Sequence, residues 1–177
     1  MILDELKLLV SDKTLVTIER EDVSSDQITG VIVKFNEEFV LMCLHDDAGK
    51  FDGFSIFATS QISEILWGNR EHECIAEFMK NETTQPDPEI DLSTMPDILV
   101  QLGKKYPAVS LMEDGDESSF DVAEIVKVDE KWVKLHCYGT LKTLSRLKKI
   151  VSVDTFSRIE FDSPYVKRIL NLHKNLS

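Results

Sequence analysis

Apolar residues follow two rhythms along this chain, and the succession of rhythms occurs twice. Leu3, Leu6, Leu9 and Val10 recur near i, i+3, i+4, the spacing that gives a helix one apolar face. From residue 14 the spacing falls to two, in runs rich in Val, Ile and aromatics, the mark of half-buried strands. Strands are predicted near 14–20, 27–35, 38–45, 54–59 and 61–67. Helical spacing then returns, with Asn69 placed as a cap and Ile75, Phe78 and Met79 on one face.

The same succession restarts at Thr94-Met-Pro-Asp97. A Thr cap, an early Pro and an acid three residues on are suited to satisfying a helix's free amide donors. Ile98, Leu99 and Leu102 form its apolar face, and strands are predicted near 107–113, 119–128, 131–138, 147–153 and 155–161. Ser163-Pro164 opens a closing helix with Val166, Ile169 and Leu170 facing in. Asn36-Glu37 and Asp129-Glu130 sit where tight hairpin turns belong.

The two halves match residue by residue. GVIVKFNEEFVLM at 30–42 is answered by AEIVKVDEKWVKL at 123–135, a shift of 93. That shift places Ile32, Val33, Lys34 and Val40 on Ile125, Val126, Lys127 and Val133, and Phe39 on Trp132. One further residue of shift places Ile65 on Ile159, Trp67 on Phe161 and Ile75 on Ile169. A register that slips once while matching helices as well as strands indicates internal duplication. The predicted organisation is a first domain at 1–81, a linker at 82–93 that is polar, proline-bearing and without period, and a second domain at 94–177. The predicted cores include Ile32, Val40, Ile65 and Trp67, then Ile125, Val133, Ile159 and Phe161, with Trp132 also packed inward.

A helix followed by five short alternating strands is the plan of a small closed barrel. The runs GVIVKFNEEFVLM, FDGFSIF and QISEILWG, with EIVKVDEKWVKLHC and FSRIEFDSPYVKRIL in the second half, resemble a group of uncharacterised bacterial proteins with Sm-like, SH3-like barrels. The resemblance implies a mainly β chain with flanking helices (α+β), built as two tandem five-stranded barrels related by duplication. Its motifs are strand and turn patterns, and it brings no catalytic residues.

Composition narrows the setting. At 177 residues and 42% hydrophobic the chain can bury an ordinary core. No apolar run reaches a membrane span, and Asp4 and Glu5 stand where a signal peptide would carry basic residues. Cys43, Cys74 and Cys137 lack CxxC spacing, which suits reduced thiols in the cytoplasm. The net charge of −12 is uneven. Residues 1–141 hold 12 Lys+Arg against 29 Asp+Glu, and residues 142–177 hold 8 against 3. An acidic bulk repels phosphate backbones and attracts basic partners, and it also keeps a protein in solution.

Candidate chemistry is sparse. His45-Asp46-Asp47 with Asp52 gathers oxygen ligands in one hairpin loop, but without the spacing of a cation loop. Glu71-His72-Glu73-Cys74 has Ala76 where H-E-x-x-H needs its second His. His136 and Cys137 are neighbours on a strand and leave opposite faces, and His173 reads as an exposed helix-end residue. No catalytic, metal or cofactor site is expected. The expected function is a non-enzymatic protein-binding module, in its sharpest form an immunity protein or antitoxin that masks a basic partner. Asp46, Asp47 and Asp52 are its candidate contacts. The alternative is an RNA-associated Sm-like module using Lys142, Arg146, Lys148 and Lys149, although no aromatics interleave with those charges in the sequence as RNA binding would want.

Overall fold

The computed structural model describes residues 1–139 and 145–176. Its contacts divide the chain into two compact units, Met1–Pro88 and Glu89–Ser177. The division falls between Pro88 and Glu89. Ile90 and Leu92, on its second-unit side, are buried, and Gln101 exchanges hydrogen bonds with the Asp91 backbone.

The first unit runs α1 (Ile2–Ser11), β1 (Leu15–Arg20), β2 (Ser24–Phe35), β3 (Phe39–His45), β4 (Phe51–Ala58), a 3-10 turn (Thr59–Gln61), β5 (Glu64–Leu66) and α2 (Arg70–Met79). Its antiparallel strands lie in the order β5-β1-β2-β3-β4. The second unit runs α3 (Met95–Lys105), β6 (Val109–Glu113), β7 (Asp116–Val128), β8 (Trp132–Cys137), β9 (Lys148–Ser152), a 3-10 turn (Val153–Thr155), β10 (Phe156–Phe161) and α4 (Pro164–Leu176). Its order, β10-β6-β7-β8-β9, is that of the first unit element for element. Mainly antiparallel sheet with four helices among the described residues makes this an α+β fold.

The local devices repeat too. The β2–β3 pairing shifts register between Ile32 and Lys34, and the β7–β8 pairing shifts between Ile125 and Lys127, 93 residues later. Such bulges bend a strand and sharpen its twist. The predicted helix caps form: Asn69 accepts from the His72 amide, Thr94 from Asp97 and Ser163 from Val166.

The closed barrel predicted from sequence is not what forms. Each unit is an open five-stranded sheet, and among the described residues no pairing within a unit joins its end strands. In the first unit, β5 is only three residues long and its described pairing is with β1. At about 3.4 Å per residue, so short a strand offers little edge for closure.

The first core gathers Leu6 and Leu9 of α1 with Val16, Ile18, Ile32, Val40, Met42 and Phe57 from the sheet. The second buries Ile98, Leu99 and Leu102 of α3, along with Val133, Leu135, Ile159 and Phe161. Each such side chain contributes about 1.5–3 kcal/mol by leaving water. Gly103 lets α3 approach β7 closely, since a Cβ there would lie 3.1 Å from Ile125 Cβ. Gly30 is required more strictly, because its Cβ would meet the Cys43 carbonyl oxygen at 2.2 Å.

Of the predicted core, Ile32, Val40, Val133, Ile159 and Phe161 are buried, whereas Ile65 and Ile125 are only partly covered. Both tryptophans are corrections. Trp67 is 48% exposed, because β5 ends at Leu66 and Gly68 turns the chain away with φ +78. Trp132 is 51% exposed, although Phe39, its counterpart, is buried. The difference is that β3 is buried on both faces, whereas β8 alternates and spends its inward positions on Val133, Leu135 and Cys137. No helix among the described residues is long and apolar enough to cross a membrane.

Candidate functional site

The acidic hairpin loop between β3 and β4 is first a piece of turn chemistry. Asp46 Oδ1 accepts hydrogen bonds from the amides of Ala48 at 3.0 Å and Lys50 at 2.9 Å. The Asp46 backbone closes the same turn with Lys50 and Gly49. Its carboxylate is therefore engaged by its own loop, although Asp46, Asp47 and Asp52 are all exposed. Burial holds the neighbouring His45 imidazole below its ordinary pKa, against the opposing pull of the Cys43 backbone and Asp46. Burial also pushes the Cys43 thiol up to about 12.

A second acidic feature of the first unit was not legible in the sequence. Glu19 on β1 stands directly opposite Glu64 on β5, and Gln27 Nε2 donates to Glu19 Oε1 at 2.5 Å. Glu19, Glu21 and Asp26 line a groove of about 330 Å³ with Ser24, Ser25 and Gln27. The groove belongs to the β1–β2 hairpin, whereas the Glu19–Glu64 pair is made by the pairing of β1 with β5 from residues forty-five positions apart. Like charges directly opposite on a sheet oppose one another, on the scale of roughly 0.2–1 kcal/mol for cross-strand pairs. Residues 1–88 hold 7 Lys+Arg against 18 Asp+Glu, so the unit has little basic charge to offset that repulsion.

The basic stretch is divided by the strand that carries it. Lys149 packs against Asp121 and lies 3.4 Å from Glu113. Burial pulls its ammonium pKa down, but the hydrogen bond to Asp121 and the charges of Asp121 and Glu113 outweigh that and leave it raised. Arg146 Nη2 lies 3.3 Å from Glu124 and donates to His136 Nδ1 at 2.6 Å, and the guanidinium stacks 3.8 Å from the Tyr138 ring centre. Arg has no acceptor, so Nδ1 must accept, which requires a neutral His136 with its proton on Nε2. The lowered pKa of His136, set by desolvation and then by Arg146 and Lys148, favours the neutral ring over an ion pair with Glu124 at 3.8 Å. Lys148 is exposed. Lys142 lies outside the described residues.

Several polar side chains serve structure. His72 is buried, and its Nε2 lies 2.9 Å from Thr17 Oγ1, which meets Thr29 Oγ1 at 2.8 Å. His173 is not the exposed helix-end residue predicted: its Nε2 donates to the Tyr138 carbonyl at 2.7 Å. In the second unit Glu117 and Arg158 are buried together, Arg158 Nε lies 3.4 Å from Glu117 Oε1, and Ser157 Oγ donates to Glu117. Alternation alone could not reveal this group, because β7 and β10 bring it together from forty residues apart.

No protein-family model matches the chain, and no curated protein matches it.

Proposed function

We propose that this chain is a non-enzymatic binding module whose acidic first unit receives the basic surface of a protein partner, in the manner of an immunity protein or antitoxin that masks a basic target. Glu19 opposite Glu64 carries the reading. A pair that repels in the unbound protein gains when a Lys or Arg from a partner enters between its members. Asp47 and Asp52 add to the attracting field. The repeated strand order and matching bulges support a tandem Sm-like relationship between the units, in open-sheet form. Cytoplasmic residence fits the three free thiols. The RNA-associated alternative built on residues 142–149 is weakened, because Lys149 and Arg146 are held by acids of their own unit.

The test is a differential capture. Immobilised wild type and an E19Q/E64Q variant are exposed to the same nuclease-treated lysate, and retained proteins are identified by mass spectrometry. Glutamine preserves an acceptor for Gln27 while removing both charges. The expected result is a basic protein retained by wild type and lost from the variant. Identical retention by both would contradict the proposal.

A further inference from the structure

The outward face of β7, β8 and β9 in the second unit joins basic and apolar side chains that are scattered in sequence. Lys127 on β7 stands directly opposite Lys134 on β8, and Lys134 stands opposite Ile150 on β9. On one side of this row lies Trp132, two residues along β8; on the other, His136 stands between Lys148 on β9 and Glu124 on β7, whose carboxylate lies 3.3 Å from Arg146. Ile150 is 65% exposed, and Val126, at the bulge in β7, is 49% exposed. Two facing lysines disfavour the unbound state, and large apolar side chains grouped in the open mark an interaction surface.

We infer that this face is a docking surface for an acidic, extended segment of a partner protein, its carboxylates set against Lys127, Lys134 and Lys148 and its apolar side chains against Trp132 and Ile150. The inference goes beyond the proposal for the first unit and uses none of its residues. Charge complementarity sets the sign of the occupant. The composition of the patch favours polypeptide over nucleic acid. Single-stranded nucleic acid calls for successive aromatic platforms in a positive field. Here Trp132 stands opposite Ser152 on β9 with Ile150 one diagonal step away, and the Tyr138 ring is already packed by Arg146 and by His173. The unit as a whole also holds 13 Lys+Arg against 14 Asp+Glu. That near-neutral balance gives a polyphosphate little long-range attraction, whereas a short acidic segment needs only the local lysines. An exposed Trp is also the anchor expected at a protein interface.

The test uses the full chain carrying Trp67→Phe, which leaves Trp132 as its one tryptophan. The probe is a fluorescein-labelled peptide of alternating Glu and Val, whose anisotropy is followed for every variant, alongside Trp132 emission in those that retain Trp132. A matched Lys-Val peptide and single-stranded oligouridylate serve as comparisons, and sedimentation reports self-association. Saturable binding of the acidic peptide is expected, weakened about tenfold or more by W132A and by K127E/K134E, and reduced by salt. K127Q/K134Q provides the same reading should the charge reversal impair folding, which circular dichroism checks. The inference is overturned by absence of saturable binding, by equal binding of the Lys-Val peptide, or by binding indifferent to these substitutions. Tighter binding of oligouridylate would assign the face to nucleic acid, and self-association abolished by the substitutions would assign it to a second copy; either overturns the inference.

Discussion

Asn36 and Asp129 do the same work 93 residues apart. Asn36 Oδ1 accepts from the amides of Glu38 at 2.9 Å and Phe39 at 2.7 Å. Asp129 Oδ1 accepts from Lys131 at 2.9 Å and Trp132 at 2.8 Å. Each residue's own amide bonds back to the carbonyl three residues on, at 2.9 Å in both turns. Either side chain fits because the turn requires one acceptor oxygen, to which a carboxylate adds charge.

That equivalence separates a neutral turn from a charged one. Asn36→Ala is expected to destabilise the protein by about 1 kcal/mol through the lost hydrogen bonds, and Asn36→Asp to be tolerated at neutral pH. At Asp129 the backbone amides of Lys131 and Trp132 hold the carboxyl below its ordinary pKa. A depressed folded-state pKa contributes stability that is present above the unfolded pKa of about 3.9 and lost as pH falls through the folded value. Thermal melts of wild type and Asp129→Asn should therefore differ near neutrality and converge in acid. A difference that grows on acidification would contradict this assignment.

Core and face should respond oppositely to truncation. Ile159, fully buried, is expected to cost about 2–5 kcal/mol when changed to Ala. Trp132→Ala should stay within about 0.5 kcal/mol of wild type in denaturant titration, as exposed substitutions do. A large loss at Trp132 would mean that its ring is a packing element.

Glu117 and Arg158 form a buried charged pair within the second unit. Removing Arg158 takes the cation from the buried Glu117 carboxylate, so Arg158→Met is expected to cost about 3–5 kcal/mol, whereas Glu117→Ala should cost less because Arg158 keeps Glu160 at 3.4 Å. Replacing both residues by apolar side chains of similar volume should recover much of that loss. A double substitution no better than the single would show that the pair's further hydrogen bonds matter more than its charges.

The thiols give a chemical check. Cys74 is exposed, whereas Cys43 and Cys137 are buried. Burial raises the pKa of both buried thiols, with Asp121 adding to the effect at Cys137, so thiolate is scarce as well as inaccessible. A thiol reagent at mildly alkaline pH should label one cysteine rapidly, and the other two only on unfolding. Fast labelling of Cys43 in the native protein would place it outside the core.

Alternation and caps made the elements legible. All four helices and ten strands among the described residues lie close to their predicted positions, and the duplication reappears in bulges and turns. Openness was not legible, because period-two spacing records which face of a strand is buried and nothing about how sheet ends meet. Nor was the exposure of Trp132, since its match to Phe39 conceals that only β3 is covered on both faces. The acidic hairpin was visible as letters, but the engagement of Asp46 with its own loop was not. Glu19 opposite Glu64 and Lys127 opposite Lys134 depend on strand register, which one bulge is enough to change.

The central claim is that the acidic first unit attracts a basic protein, and association kinetics test it most directly. The partner retained in the differential capture would be mixed with wild type and with E19Q/E64Q across a series of salt concentrations. Surface charges act chiefly on encounter, so the variant should associate about tenfold more slowly at low salt and show a flatter salt dependence, with dissociation changed far less. Association equal in rate and salt dependence for both proteins would contradict the account.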